Sequence, residues 1–239
     1  MNRFNVYNKS CTDMSEIPDN FINLVITDPP WNMGVKFGNQ ENRQSIEEYT
    51  VFISSVIKEI HRVITQNGLC VVMLAEKVQF KNQETNLPDL YKEIFSKHNF
   101  NHIKSIDVNF IEEEKSIFSI KKILGWNKYK DDKFYSKNGK ILVFSKDQRE
   151  IEKTDLINGN TFKFKETSEH PCATSTDMAK SLLDVFYEKG DRVLDPFMGT
   201  ANIGVEVIAR EGFFYGYELV KEYFDTAVKK LMSADLGIN

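Results

Sequence analysis

The sequence predicts a doubly wound α/β fold, a mostly parallel sheet with helices on both faces. Three observations carry it. Leu69 to Ala75 is an unbroken apolar run, the pattern of a strand buried on both faces of a parallel sheet. Ile46, Tyr49, Ile53, Val56, Ile57, Ile60, Val63 and Ile64 recur at three- and four-residue spacing, which predicts a long amphipathic helix before that strand, ending near Asn67-Gly68. Near the C-terminus, Arg192 to Leu194, Asn202 to Arg210 and Phe213 to Tyr217 read as strand, helix and strand with short links, a βαβ unit with a right-handed crossover.

The remaining elements follow in order. Phe4 to Tyr7 is a short strand, Ser10 to Asn20 a polar link, and Leu24 to Thr27 a β-branched strand stopped by Asp28-Pro29-Pro30. Two prolines without ladder N–H groups place Asp28 at the carboxyl end of that strand. A polar loop spans Gly34 to Ser45. The middle, 76–169, is less regular. A helix is expected around Leu90 to Lys97, then strand-like runs at Ile103 to Phe110, Ile120 to Trp126 and Ile141 to Ser145. Asp131-Asp132 and Asn138-Gly139 read as the turns of antiparallel hairpins, and Gln148 to Thr167 as a loop or small module. Thr174 to Glu188 predicts a helix with Met178, Leu182, Leu183 and Phe186 on one face, and Val220 to Met232 a last helix. The whole of 1–239 is expected to be one domain, with a small recognition or insert region around 76–169.

Composition narrows the function. The chain has 239 residues, 41% apolar and 28% charged, globular values that argue against disorder. The longest apolar run, seven residues, is far short of the ~20 that span a bilayer, and Met1 to Asn5 lacks a signal-peptide core. Cys11, Cys70 and Cys172 are odd in number and widely spaced, so neither a disulfide framework nor a Cys-x-x-Cys metal site is expected. His98 and His102 have helical zinc spacing but no third ligand nearby, which leaves no metal site and two surface histidines. Cys172 near His170 lacks the strained turn of a nucleophile. The net charge of −4 is unevenly spread: Lys115 to Lys146 holds nine lysines, no arginine and two aspartates, so +7 faces −11 over the rest. Its aromatics, Phe118, Trp126, Tyr129, Phe134 and Tyr135, interleave with lysines such as Lys122, Lys128, Lys130 and Lys133. That pattern suits phosphate contact and base stacking, and equally a solvated lysine face.

Ligands of open α/β sheets bind beyond the carboxyl ends of the strands. Two unusual motifs fall there: Asp28-Pro29-Pro30-Trp31, and Asp195-Pro196-Phe197 followed by Met198-Gly199-Thr200-Ala201. Glu218 ends the next strand 23 residues further on, where a carboxylate accepts hydrogen bonds from ribose hydroxyls. No Gly-x-Gly-x-x-Gly cradle is present, which favours an adenosyl cofactor without a pyrophosphate.

Asp28-Pro29-Pro30-Trp31 resembles the catalytic tetrad of the adenine-N6 and cytosine-N4 DNA methyltransferases, and Asp195-Pro196-Phe197-Met198-Gly199 resembles their cofactor loop. The order, tetrad first, is that of the family's β group. The resemblance extends over most of 4–75 and 120–232, with Trp126-Asn127-Lys128 and Ile141 to Lys146 similar to a family hairpin and His170-Pro171 with Ala173 similar to the start of a helix. It implies a Rossmann-like methyltransferase sheet, S-adenosyl-L-methionine as cofactor and DNA as partner, in the cytoplasm of a bacterial or phage-infected cell. It further implies a catalytic Asp28, Pro29, Pro30 and Trp31. Asp195, Pro196, Phe197, Gly199 and Thr200 would then line the cofactor, with Glu218 on its ribose. Trp31 is expected to stack on a base flipped from duplex DNA. So small a recognition region is compatible with a homodimer or partner subunit. Asp at the head of the tetrad favours adenine N6. Cytosine-N4 transfer, RNA adenine methylation and a non-catalytic nucleic-acid-binding subunit remain the alternatives.

The chain departs from the family pattern at three places, one of them the segment near His170, which lacks the Lys-Pro that commonly follows. Lys9-Ser10-Cys11 stands where Gly-Asp-Cys is usual, removing a carboxylate expected on the cofactor's adenine, with Asp13 the nearest substitute. Ala201 stands where a second glycine is usual.

Overall fold

A computed structural model describes residues 3–32, 36–37, 40–41, 44–80, 83–112, 138–151, 154–157, 159–167 and 170–238. Lys122, Lys128, Lys130 and Lys133, and the expected strand at 120–126, lie outside the described residues.

In chain order the elements are β1 (Phe4–Tyr7), β2 (Ile22–Thr27), a ribbon of β3 (Lys36–Phe37) and β4 (Gln40–Glu41), α1 (Ile46–Val63) and β5 (Ile64–Ala75). A second ribbon of β6 (Lys77–Phe80) and β7 (Gln83–Asn86) leads to α2 (Leu87–Lys97), β8 (Asn101–Glu112) and β9 (Asn138–Ser145). Then come β10 (Thr161–Thr167), β11 (His170–Ala173), α3 (Thr176–Phe186), β12 (Arg192–Asp195), α4 (Asn202–Ala209), β13 (Phe213–Tyr217) and α5 (Lys221–Asp235).

Local chemistry sets the helix starts. Ser45 caps α1 in a reciprocal box with Glu48, Asn86 caps α2 through the Asp89 N–H, and Ser175 caps α3 through the Met178 N–H. Each satisfies a donor that the first turn would otherwise leave unpaired. The predicted apolar stripe of α1 is buried at Tyr49, Ile53, Val56, Ile57, Ile60 and Val63.

One sheet runs in the order β1-β13-β12-β2-β5-β9-β8-β10-β11. The pairs β1–β13, β13–β12, β12–β2 and β2–β5 are parallel, whereas β9 runs antiparallel to both β5 and β8. The crossover from β2 through α1 proceeds one way along the sheet, and that from β12 through α4 proceeds the other. Right-handed connections therefore put α1 on one face and α4 on the opposite face. The gap between β2 and β12, where the winding reverses, is the crevice in which doubly wound sheets hold ligands. No helix among the described residues is long and apolar enough to cross a membrane.

Four expectations need correcting. The helix over 46–63 ends at Val63 rather than near Asn67-Gly68, and β5 begins at Ile64. Ile22 pairs with Ile64 but Leu24 with Leu69, so residues 65–68 bulge within the strand, and Asn67-Gly68 marks that irregularity. Asn138-Gly139 is not a turn but the start of β9, with Gly139 opposite Ala75 and Val108. The glycine is needed because a methyl there would overlap the Phe110 ring. Within Gln148 to Thr167, Thr161 to Phe164 join the sheet as a parallel neighbour of β8. His170 to Ala173 is a strand rather than a helix start.

Candidate active site

β2 and β12 lie side by side in register, Val25 opposite Leu194, so both stop at one rim. There the Thr27 hydroxyl donates to Asp195 Oδ1 at 2.9 Å, and the Phe197 N–H donates to the same oxygen at 3.0 Å. The residue just before the tetrad is thus bonded to the head of the second motif, 168 residues further on. A second link runs through Thr174: its carbonyl accepts from Asn202 Nδ2 at 2.8 Å, and its side chain hydrogen-bonds Asp28. Sequence reasoning assigned nothing to Thr27 or Thr174, because a threonine ending a strand or preceding a helix is unremarkable without knowing what lies opposite.

Three carboxyl groups converge on this rim. Burial, and then the neighbouring Asp195, push Asp28 up to about 8 against the opposing hydrogen bonds from Thr174 and Trp31. Asp195, 3% exposed, is pushed up to about 7, mainly by burial and further by Glu218. Glu218 is also raised by burial, while the backbone N–H groups of Val220, Gly199 and Leu219 hold it back. Its Oε1 accepts from the Val220 N–H at 2.6 Å. The buried Cys11 thiol is raised mainly by burial and further by the same two acids, Asp195 and Glu218.

The turn that follows Asp195 is anchored to β13 by the Met198 N–H, which donates to Tyr217 O at 3.0 Å. Gly199 has φ of +51°, a conformation glycine adopts freely. Pro196, Gly199 and Thr200 are buried, and Phe197 is partly buried, packed edge-on with Phe52 at 6.0 Å between ring centroids. Ala201 explains the usual glycine: it has φ of +59° and serves as the N-cap of α4 without a side-chain cap bond. Its cost is backbone strain. The methyl is fully buried.

The tetrad is held from several sides. Asn32, also left-handed at φ +59°, clamps the Gln44 backbone with both amide atoms, at 2.9 and 2.7 Å. Trp31 does not present the open stacking plane expected of it. The indole is 7% exposed, its Nε1–H donates to Met73 O at 3.2 Å, and its ring lies 5.5 Å from Phe110. A large ring with one N–H gains more from this apolar wall and buried carbonyl than from standing in water.

Asp13 is no substitute for the missing adenine contact: it is exposed, paired with Lys9 at 2.7 Å and bonded to the Ser15 N–H. Ser10 instead shares a 2.9 Å hydrogen bond with Thr12. His98 caps α2 and meets Ser54 at 2.8 Å, while His102 lies in β8 beside Ser105. They share no helical face.

An acid-lined rim at a winding reversal, with no Gly-x-Gly-x-x-Gly phosphate cradle in the sequence, suits a ligand that carries positive charge rather than phosphates. The residues present fit S-adenosylmethionine on that ground: the buried Asp195 carboxyl would suit its positive charge, and Glu218 at the end of β13 would accept from its ribose hydroxyls. The comparisons agree. The chain belongs to the DNA methylase family of N6- and N4-methyltransferases, whose profile it matches over residues 22–229. It is 26% identical to the Type II methyltransferase M.BglII of Bacillus subtilis over 95% of this chain and 68% of that one. It is 25% identical to the DNA adenine methyltransferase YhdJ of Escherichia coli K12 over 95% of this chain and 81% of that one. Among solved structures, the cytosine-N4-specific PvuII DNA methyltransferase superposes with a TM-score of 0.71 at 15% identity, covering 98% and 92% of the two chains. The M1.HpyAVI complex with S-adenosylmethionine does so at 0.64 and 16%, covering 95% and 98%. The protein is a DNA methyltransferase that uses S-adenosylmethionine.

Proposed function

We propose that this methyltransferase modifies the exocyclic N6 of adenine in double-stranded DNA, acting on a base turned out of the helix. The observation that carries the reading is the Asp-headed tetrad standing one hydrogen bond, Thr27 to Asp195, from the cofactor motif. The similarity to an adenine-specific enzyme along 95% of the chain supports it.

The amino group of adenine is a poor nucleophile because its lone pair is delocalised into the ring. Asp28 and the Pro29 carbonyl accept its two N–H bonds and draw the nitrogen toward tetrahedral geometry. S-adenosylmethionine, when bound, supplies a methyl group activated by its sulfonium. Asp195 would line the bound cofactor and Glu218 would hold its ribose, so that the methyl faces the amine, and positioning supplies much of the acceleration. Positive charge then develops on the amine nitrogen, and the Asp28 carboxylate stabilises it. A carboxyl held up to about 8 is also basic enough to take the released proton. Pro29 and Pro30 fix the backbone that aims the carbonyl.

Region 76–169 is the DNA-reading part in this proposal, with Lys122, Lys128, Lys130 and Lys133 on phosphates, and the enzyme works where cellular DNA lies. A homodimer would double so short a reading surface.

Nucleoside analysis of duplex DNA after incubation with labelled S-adenosylmethionine tests the reading. N6-methyladenine is expected, lost in Asp28→Asn. N4-methylcytosine as the sole product, or transfer confined to RNA, overturns it. Calorimetry that finds neither cofactor heat nor transfer would leave a binding subunit of the same fold.

A further inference from the structure

The tetrad poses a mechanical problem. Pro29 and Pro30 have no N–H, so the main chain between Asp28 and Trp31 can be tied down only through its carbonyls. The Pro30 carbonyl accepts from the Tyr49 hydroxyl at 2.9 Å. Tyr49 lies in α1, and its hydroxyl is also 2.8 Å from that of Tyr91 in α2. Both side chains are 2% exposed. A phenol has one proton to give; Tyr49 spends its own on Pro30, so Tyr91 is the donor to Tyr49. Phenylalanine would fill the same apolar space at either position without burying a hydroxyl. Two buried hydroxyls in series are costly unless each is bonded, and this chain of bonds ends on the catalytic loop.

We propose that Tyr49, backed by Tyr91, is a positioning residue for methyl transfer. It fixes the Pro30 carbonyl so that the adjoining Pro29 carbonyl and Asp28 carboxylate face the incoming amino group. The inference rests on the reading of Asp28 and Pro29 as the acceptors of that group. The electrostatic field of Asp28 reaches both phenols, as the same neighbourhood requires. Neither tyrosine touches the reacting atoms in this account. Their effect passes through one carbonyl, and displacing such a loop by about 1 Å costs on the order of 100-fold in rate.

The test uses the full chain with duplex DNA and isotope-labelled S-adenosylmethionine, and measures single-turnover transfer, cofactor affinity by calorimetry and thermal unfolding. Tyr49→Phe is expected to slow transfer by roughly 10- to 100-fold while cofactor affinity stays within about twofold of the parent. Tyr91→Phe keeps the bond to Pro30 and is expected to slow transfer less. Val51→Ala, an exposed position on the same helix, leaves the rate unchanged. Transfer by folded Tyr49→Phe at the parental rate overturns the proposal, as does a loss confined to cofactor affinity. Should Tyr49→Phe fail to fold, Tyr91→Phe decides: a parental rate overturns the proposal, and a slower rate at unchanged cofactor affinity upholds it. Asp28→Asn separates the two readings: if it transfers normally, the assignment of the tetrad fails first and this inference falls with it.

Discussion

The Thr27 hydroxyl donates to the Asp195 carboxyl at 2.9 Å, so the strand that ends in the Asp28 tetrad is bonded to the strand that ends in Asp195-Pro196-Phe197. Both residues are buried, and Asp195 has two donors on Oδ1, Thr27 and the Phe197 N–H. Thr27→Val keeps the shape and removes one donor. The expected loss is about 1–2 kcal/mol of stability, the usual cost of leaving a buried acceptor short of a partner. Cofactor affinity should fall with it, because the turn at 196–199 hangs from the same oxygen. Urea denaturation and calorimetry with S-adenosylmethionine measure the two effects; an unchanged midpoint would show that Asp195 finds its second donor elsewhere.

The raised acids predict a pH dependence whose sign is fixed. Asp28 and Asp195 titrate at about 8 and about 7 in the folded chain, against 3.8 for an ordinary aspartate. Protons therefore bind the folded state more tightly, and stability from these groups is lost as pH rises from near 4 through about 8. The cofactor-free protein should unfold at lower urea at pH 8.5 than at pH 5.5, and Asp28→Asn should flatten that slope. Catalysis runs the other way under the proposed role of Asp28: it would accept the amino group only when ionised, so single-turnover transfer should rise with pH up to about 8. A rate that is flat between pH 6 and 8.5 would contradict the value for Asp28.

Much of this site was legible because prolines punctuate strands. Asp28-Pro29-Pro30 and Asp195-Pro196 had to sit at strand ends, and one rule about doubly wound sheets brought those ends to one crevice. What escaped was everything that depends on the residue opposite. Thr27, Thr174 and Tyr49 look like ordinary strand, loop and core residues until Asp195, Asp28 and Pro30 are placed beside them. Trp31 failed in the opposite sense: its motif suggested an open ring, but burial of the indole against Phe110 and Met73 O depends on β5 and β8, which no local pattern reveals. The start of β9 was misread as a turn since Asn-Gly is the commonest hairpin signal, and only the Phe110 ring explains why glycine is needed there.

Ala201 offers a gain rather than a loss. A non-glycine residue at φ +59° carries left-handed strain of roughly 1–2 kcal/mol, part of which glycine's larger unfolded-state entropy offsets. Ala201→Gly should therefore raise stability by about 0.5–1 kcal/mol, read as an increase in the thermal midpoint. A buried methyl is lost in the exchange, and if its packing outweighs the strain the midpoint will fall instead.

Gly139 tests whether the sheet beneath the tetrad is tightly fitted. It lies between β5 and β8, where an added methyl would overlap the Phe110 ring. That ring in turn lies against Trp31, 5.5 Å between centroids. Gly139→Ala should cost about 1–3 kcal/mol as the ring is forced aside, and the displacement should carry through Trp31 to Asp28. Transfer would then slow more than cofactor binding weakens, because Asp195 and its turn stand on the far side of β2 from Gly139. Were Asn138-Gly139 merely a turn at the surface, the alanine would be tolerated in both assays. Substituting Phe110→Leu beside Gly139→Ala makes room for the methyl and should recover part of the stability, a coupling that a double-mutant cycle reads directly.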